Sequence, residues 1–259
     1  MSKPHSSTLT TEGLGIRFGA FQAVGDVTLT LEPGARQALI GPNGAGKTTL
    51  INLLTGVYRP TSGRIYLDGQ DITDLRCDQR ARLGLVRTFQ INTLFPSLTP
   101  LESVVLAICE REGLGACWWK PVKRLTQVHD EAHAILQRLR LDALADVRVD
   151  TLAYGKQRLL EIALAMAAKP RILLLDEPAA GVPQGESSEL FEVVAELPAD
   201  IGVLFIEHDM NLVFRFARRI SVLVAGQILM EGSAAEVGAD ARVREVYLGN
   251  STRIGGQHG

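Results

Sequence analysis

No stretch of the 259-residue chain approaches the roughly 18 consecutive apolar residues of a membrane-spanning helix. The opening, Met1 to Thr10, is polar and has no apolar segment of the kind a secretory signal carries. An excess of one charge is also missing. The 27 Lys and Arg stand against 29 Asp and Glu, giving a net charge of -2 and a pI near 6.2. Such a balance leaves no broad basic footprint, so nucleic acid is not an expected partner. Cysteine is scarce: Cys77, Cys109 and Cys117 form neither a C-x-x-C pair nor a metal-ligand spacing. They read as structural thiols in a reducing compartment. There is no repeat of fixed period and no low-complexity tract. What remains is a soluble, cytosolic chain that serves a membrane, if at all, through a partner. With 46% hydrophobic and 22% charged residues it can form one large core-bearing domain with a sizeable insert.

The hydrophobic pattern alternates between strand and helix. Leu9 to Phe18, Val24 to Leu31 and Arg36 to Ile40 read as strands, with a turn at Glu32-Pro33-Gly34. Lys47 to Leu54 reads as a helix closed by Gly56, and Arg64 to Leu67 as a strand entering the Asp68-Gly69 turn. From about Leu101 to Val147 the period becomes helical, most clearly over Glu131 to Leu141. The alternation then resumes: a helix over Arg158 to Ala168, a buried strand over Ile172 to Leu175, a helix over Glu186 to Leu197 and a strand over Val203 to Ile206. A helix over Asn211 to Phe216 and a strand over Ile220 to Val224 follow. The expected fold is therefore α/β, a parallel-sheet nucleotide-binding core interrupted by a helical insert.

Five short motifs carry the chemistry. Gly41-Pro42-Asn43-Gly44-Ala45-Gly46-Lys47-Thr48-Thr49 fits G-x-x-x-x-G-K-[ST] between a strand and a helix. In that context glycines let backbone N–H groups curl around phosphates, and the helix N-terminus adds positive potential. Lys47 should reach the β- and γ-phosphates of ATP, and the Thr48 hydroxyl should ligate Mg²⁺. The strand Ile172 to Leu175 ends in Asp176-Glu177-Pro178, which puts two carboxylates at the edge where parallel sheets bind ligands. Asp176 would hold magnesium and Glu177 would deprotonate the attacking water, although paired acids after a strand also serve as plain helix caps. His208, in Ile206-Glu207-His208-Asp209, follows a third apolar strand. It is either structural or a hydrogen-bonding partner of the γ-phosphate and the water. Gln90, in Thr88-Phe89-Gln90, is either a surface residue or a ligand of Mg²⁺ or the water. Leu152-Ala153-Tyr154-Gly155-Lys156 opens an apolar helix whose N-terminus forms an anion site, with Thr151 as an alternative cap.

Together these motifs, in this order, resemble the ATP-binding-cassette ATPases over nearly the whole chain, from about Thr8 to Gly249. The resemblance implies a P-loop core with mixed sheet, an N-terminal antiparallel β-subdomain and a helical signature subdomain at about 95–156. Residues 8–249 would form this single domain, between flexible termini at 1–7 and 250–259. It also implies that Gln90 is the Q-loop glutamine and that Phe18 lies under the adenine, where a core phenylalanine is the alternative. Residues Leu152, Ala153, Tyr154, Gly155 and Lys156 would be the signature that meets the nucleotide of a second ATPase subunit. Two departures stand out. The family's L-S-G-G-Q has lost its serine to Ala153, and Ala179-Ala180-Gly181-Val182-Pro183 lacks the usual D-loop aspartate. The lost hydroxyl is worth about 1.5–3 kcal/mol as a charge-assisted hydrogen bond.

L-A-Y-G, D-E-P-A-A-G, I-E-H-D-M and Val246-Tyr247-Leu248-Gly249 look like the ATPases of branched-chain amino acid importers and their urea and amide relatives. That subgroup implies a hetero- or homodimer bound to permease subunits at the cytoplasmic face of the membrane, fed by a solute-binding protein. A lipopolysaccharide-export ATPase or a soluble iron–sulfur-assembly ATPase are the alternatives. Leu94-Phe95-Pro96 reads as an apolar turn that either packs locally or meets the permease. Trp118-Trp119 either packs within the insert or faces a partner.

Overall fold

A computed structural model describes residues 8–88, 94–114 and 122–248. The expected flexible termini, Gly249, Cys117 and Trp118-Trp119 lie outside these residues. The chain opens with the antiparallel hairpin β1 (Leu9–Phe18) and β2 (Phe21–Leu31). Strand β3 (Arg36–Ile40) then leaves for a second sheet and feeds helix α1 (Lys47–Thr55). Strands β4 (Ser62–Leu67) and β5 (Gln70–Asp71) return to the first sheet, whose order is β2-β1-β4-β5. The β4–β5 turn is the expected Asp68-Gly69, both residues at positive φ, as a tight hairpin turn demands.

After α2 (Cys77–Arg82) and β6 (Leu85–Arg87) come the helices α3 (Pro100–Arg111), α4 (Val122–Arg138) and α5 (Tyr154–Ala167). The α/β rhythm resumes with β7 (Ile172–Asp176), α6 (Gln184–Ala195), β8 (Gly202–Ile206), α7 (Met210–Phe216) and β9 (Arg219–Val224). Then follow β10 (Gln227–Gly232), α8 (Ala234–Ala239) and α9 (Ala241–Leu248). The second sheet has the order β10-β9-β3-β8-β7-β6, parallel except for β10. Its central strands β3, β7 and β8 are buried along their whole length, because helices or the other sheet cover both faces.

Helix α1 sits where the two sheets meet. Leu50, Ile51, Leu53 and Leu54 are fully buried in one core with residues of β1 and β2. Each such side chain gains roughly 1.5–3 kcal/mol on leaving water, so the loop ahead of α1 is attached to a rigid body. A larger core on the other face of the sheet holds α3, α4, α5 and α6.

Three local expectations are adjusted. The helix expected from Arg158 begins a turn earlier, at Tyr154, in a stretch whose glycine weakens the helical signal. The helix expected to reach Leu141 stops at Arg138, and Arg140 takes a positive φ, while Leu139 and Leu141 stay buried beyond it. Thr151 does not cap α5: its hydroxyl donates to the Arg148 carbonyl, and the N-cap position is Ala153. No described helix is long and apolar enough to cross a membrane.

Candidate active site

Five parallel strands deliver their C-terminal ends to one edge of the sheet, and the loop, the paired acids and the histidine follow three of them, β3, β7 and β8. Loop 41–46 leaves β3 and runs into α1, whose N-cap is Gly46 at φ 103°. A Cβ there would come within 2.5 Å of the Ala23 carbonyl, so glycine is what lets the loop pass under the antiparallel sheet. Lys47 is buried, and its Nζ donates to the carbonyls of Gly41 (2.7 Å) and Pro42 (3.1 Å). Burial pulls the Lys47 ammonium below its usual range, against the opposing attraction of Glu177 and Asp176.

Asp176 ends β7 in a buried position. Its Oδ2 accepts from Arg87 Nη2 at 2.6 Å, and Arg87 Nη1 donates to Asn52 Oδ1 of α1 at 2.6 Å. Arg87 therefore fixes the carboxylate and ties it to α1. The second oxygen, Oδ1, is buried without a hydrogen-bond partner. An unpaired buried carboxylate oxygen is the donor a hard cation takes, so Asp176, with the hydroxyl of Thr48 from the first turn of α1, fits magnesium. No cluster of three or more His, Cys, Asp or Glu exists among the described residues. Replacing Arg87 by Met would strand a buried carboxylate. The expected loss is about 3–5 kcal/mol of stability in denaturant unfolding, with partial recovery in Arg87→Lys.

Glu177 follows at φ 50°, a left-handed conformation uncommon for a side chain of its size. Its N–H donates to the Ile206 carbonyl at 3.1 Å, which hooks the turn to the end of β8. Glu177 Oε1 lies 2.7 Å from His208 Nε2; with the carboxylate ionised, the proton sits on Nε2 and the imidazole donates. Neither acid caps a helix, since α6 begins at Gln184. Glu207, between β8 and His208, is buried and accepts from the N–H groups of Ala179 (2.8 Å) and His208 (3.1 Å). Burial raises its pKa and those two bonds lower it. It fastens the loop after Glu177 to the histidine.

A cavity of about 350 Å³ brings the loop together with Glu177 and His208; residues 43–49, Ala23 and Phe21 complete its lining, and Asp176 is not part of it. Phe18, the aromatic expected from the sequence, pairs with Phe21 across the hairpin and meets Tyr58 edge-on at 5.5 Å. Phe21, which no sequence motif marks, is the one that lines the cavity and is 66% exposed. Gln90 lies outside the described residues. None of Leu152, Ala153, Tyr154, Gly155 and Lys156 lines this cavity. That segment forms the start of α5, where Lys156 pairs with Glu189 at 2.7 Å and the Tyr154 hydroxyl accepts from Arg158 at 2.6 Å.

Known proteins resemble this chain. The family model described as ABC transporter matches residues 24–180. The chain is 43% identical over 258 residues to the high-affinity branched-chain amino acid transport ATP-binding protein LivG of Escherichia coli K12, covering 97% of this chain and 100% of that one. It is 40% identical, with the same coverage, to BraF of Pseudomonas aeruginosa, which has the same description. Among solved structures, the ADP conformation of MJ1267, an ATP-binding cassette of an ABC transporter, superposes with a TM-score of 0.82 at 33% identity. That match covers 94% of this chain and 99% of the other. A phosphate loop and a Glu–His pair facing one cavity, in a chain that matches this family over most of its length, lead to one conclusion: the chain belongs to the ABC transporter ATPases.

Proposed function

We propose that this chain is the ATP-hydrolysing subunit of an importer for branched-chain or other hydrophobic amino acids. It works in a pair with a second ATPase subunit on the cytoplasmic face of the membrane. The observation that carries the mechanism is the Glu177–His208 contact at the mouth of the phosphate loop. Loop 41–46 and Lys47 hold the β- and γ-phosphates, and Phe18 and Phe21 offer aromatic faces to the base. Thr48 and Asp176, with Gln90, would hold the magnesium ion. When bound, magnesium neutralises charge that develops on the phosphates. Glu177 accepts the proton of the attacking water, and His208 keeps its carboxylate aimed.

The start of α5, which does not line the chain's own cavity, is the half-site offered to the partner's nucleotide. Closing the pair over two ATP molecules moves the permease subunits, and hydrolysis reopens it. Phe95, 60% exposed beside Leu94 and Pro96, is the contact for the permease. The amino acid cargo rests on the likeness to LivG and BraF.

Vesicles containing this chain, its companion ATPase and its permeases test the cargo. Supplied with the cognate binding protein, they should accumulate leucine, isoleucine or valine when ATP is enclosed. Accumulation of urea or short amides instead would overturn the cargo and leave the motor. Recovery of the chain with soluble partners only would overturn the transport role.

A further inference from the structure

Helix α5 lacks the residue that normally closes its start. The first turn of a helix presents unpaired N–H groups, and a Ser, Thr, Asp or Asn at the N-cap accepts from one of them. Here the N-cap is Ala153, and no side-chain cap is formed. The Gly155 N–H donates instead to Glu186 Oε2 at 2.9 Å. Glu186 stands in the first turn of α6, just past the 179–183 loop that follows Glu177. A Cβ on residue 155 would fall 2.4 Å from that oxygen and 3.0 Å from the Glu186 Cβ, so the carboxylate sits this close only because residue 155 is glycine. Gly155 is buried although Ala153 beside it is exposed. A negative group at a helix N-terminus is electrostatically favoured, and a phosphate oxygen would take the same place for the same reason.

We propose that Glu186 is a γ-phosphate surrogate: it supplies the cap that Ala153 cannot, and it must leave Gly155 before the nucleotide on the partner subunit can take that donor. The proposal rests on the composite site described above. Two anions cannot share one N–H, so closure requires the phosphate to displace a tethered carboxylate. This raises the ATP concentration at which the pair closes. ADP has no γ-phosphate to compete, so its binding to the phosphate loop is independent of Glu186.

The test uses the full-length chain in its purified complex with permeases and companion ATPase. Glu186→Gln keeps an oxygen acceptor and removes the charge. Its half-saturating ATP concentration for hydrolysis should fall about three- to tenfold, with ADP affinity unchanged. Glu186→Ala should show the same fall together with a lower Tm. Adding Ala153→Ser, which returns a hydroxyl to the N-cap, should restore the Tm without restoring the wild-type ATP requirement. An unchanged or raised ATP requirement in both Glu186 variants would overturn the surrogate and leave a plain helix cap. Hydrogen exchange over residues 152–157 in a Glu177→Gln complex separates the two ideas. Slowing by ATP but not ADP supports the composite site. If ATP gives no slowing, that site and the surrogate fall together.

Discussion

Glu177→Gln should lower ATP hydrolysis by about a hundred- to ten-thousandfold, the usual contribution of a general base, while the protein keeps its ATP. Gln is nearly isosteric with Glu, so the left-handed turn at φ 50° and its N–H bond to Ile206 are equally accessible to it. The amide oxygen still accepts from His208, but it has no basicity with which to take a proton from water. The residues that would hold the phosphates, 43–49, are untouched, so nucleotide should remain bound and accumulate in the closed pair. Phosphate release and the ATP retained through gel filtration measure the two halves of the expectation. Hydrolysis within tenfold of wild type would remove Glu177 from its assigned role.

An effect on stability comparable to that of Arg87→Met is expected far from this chemistry, at Arg80. This residue is 1% exposed, and its guanidinium donates to four carbonyls: Leu53 and Leu54 at the end of α1, and Thr73 and Leu75 in the segment before α2. The last carbonyls of a helix have no partner within it, so Arg80 closes α1 as a cap would. Burial pushes the guanidinium pKa down to about 10, which leaves it charged at neutral pH. Arg80→Met fills similar space with no donor and strands the carbonyls of Leu54, Thr73 and Leu75, while that of Leu53 keeps the Gly56 N–H. Removing the charge relieves some desolvation, but several orphaned carbonyls at roughly 1–3 kcal/mol each outweigh that relief. A net loss of about 3 kcal/mol, or roughly 6–12 °C in Tm, should appear in thermal unfolding. Arg80→Lys should recover little, since one unforked ammonium cannot reach all four acceptors. A Tm within 2 °C of wild type, roughly 1 kcal/mol or less, would contradict this account.

These two residues differ in how far the sequence announces them. Glu177 directly follows an apolar strand, which marks it in the sequence although its partner His208 lies 31 residues on; Gly41 to Thr49 are marked by their own spacing. Arg80 sits in a short polar helix whose sequence has no apolar face to mark it as buried. Arg87 is similarly hidden, because its partner Asp176 is 89 positions away. Phe18 and Phe21 are register partners on one hairpin, and only the path of the chain decides which of them lines the cavity. At the far end, Tyr247 is drawn against the Gly41 backbone, and burial raises its hydroxyl pKa to about 12. No pattern near either residue indicates that contact.

The sequence alone determined the phosphate loop, the paired acids, the α/β class and the motif order that resembles the cassette ATPases. Each of these depends on residues adjacent in the chain or on a periodicity that a few turns reveal. The tertiary structure decided which carboxylate oxygen stays unpaired, what positions it, and how the helix at Ala153 is capped. A sheet whose strand order departs from chain order brings such partners together from distant segments, and their energies depend on burial and distance. The missing serine of the signature, read from the sequence as a loss, is matched in the folded chain by the carboxylate of Glu186, 31 residues beyond Gly155.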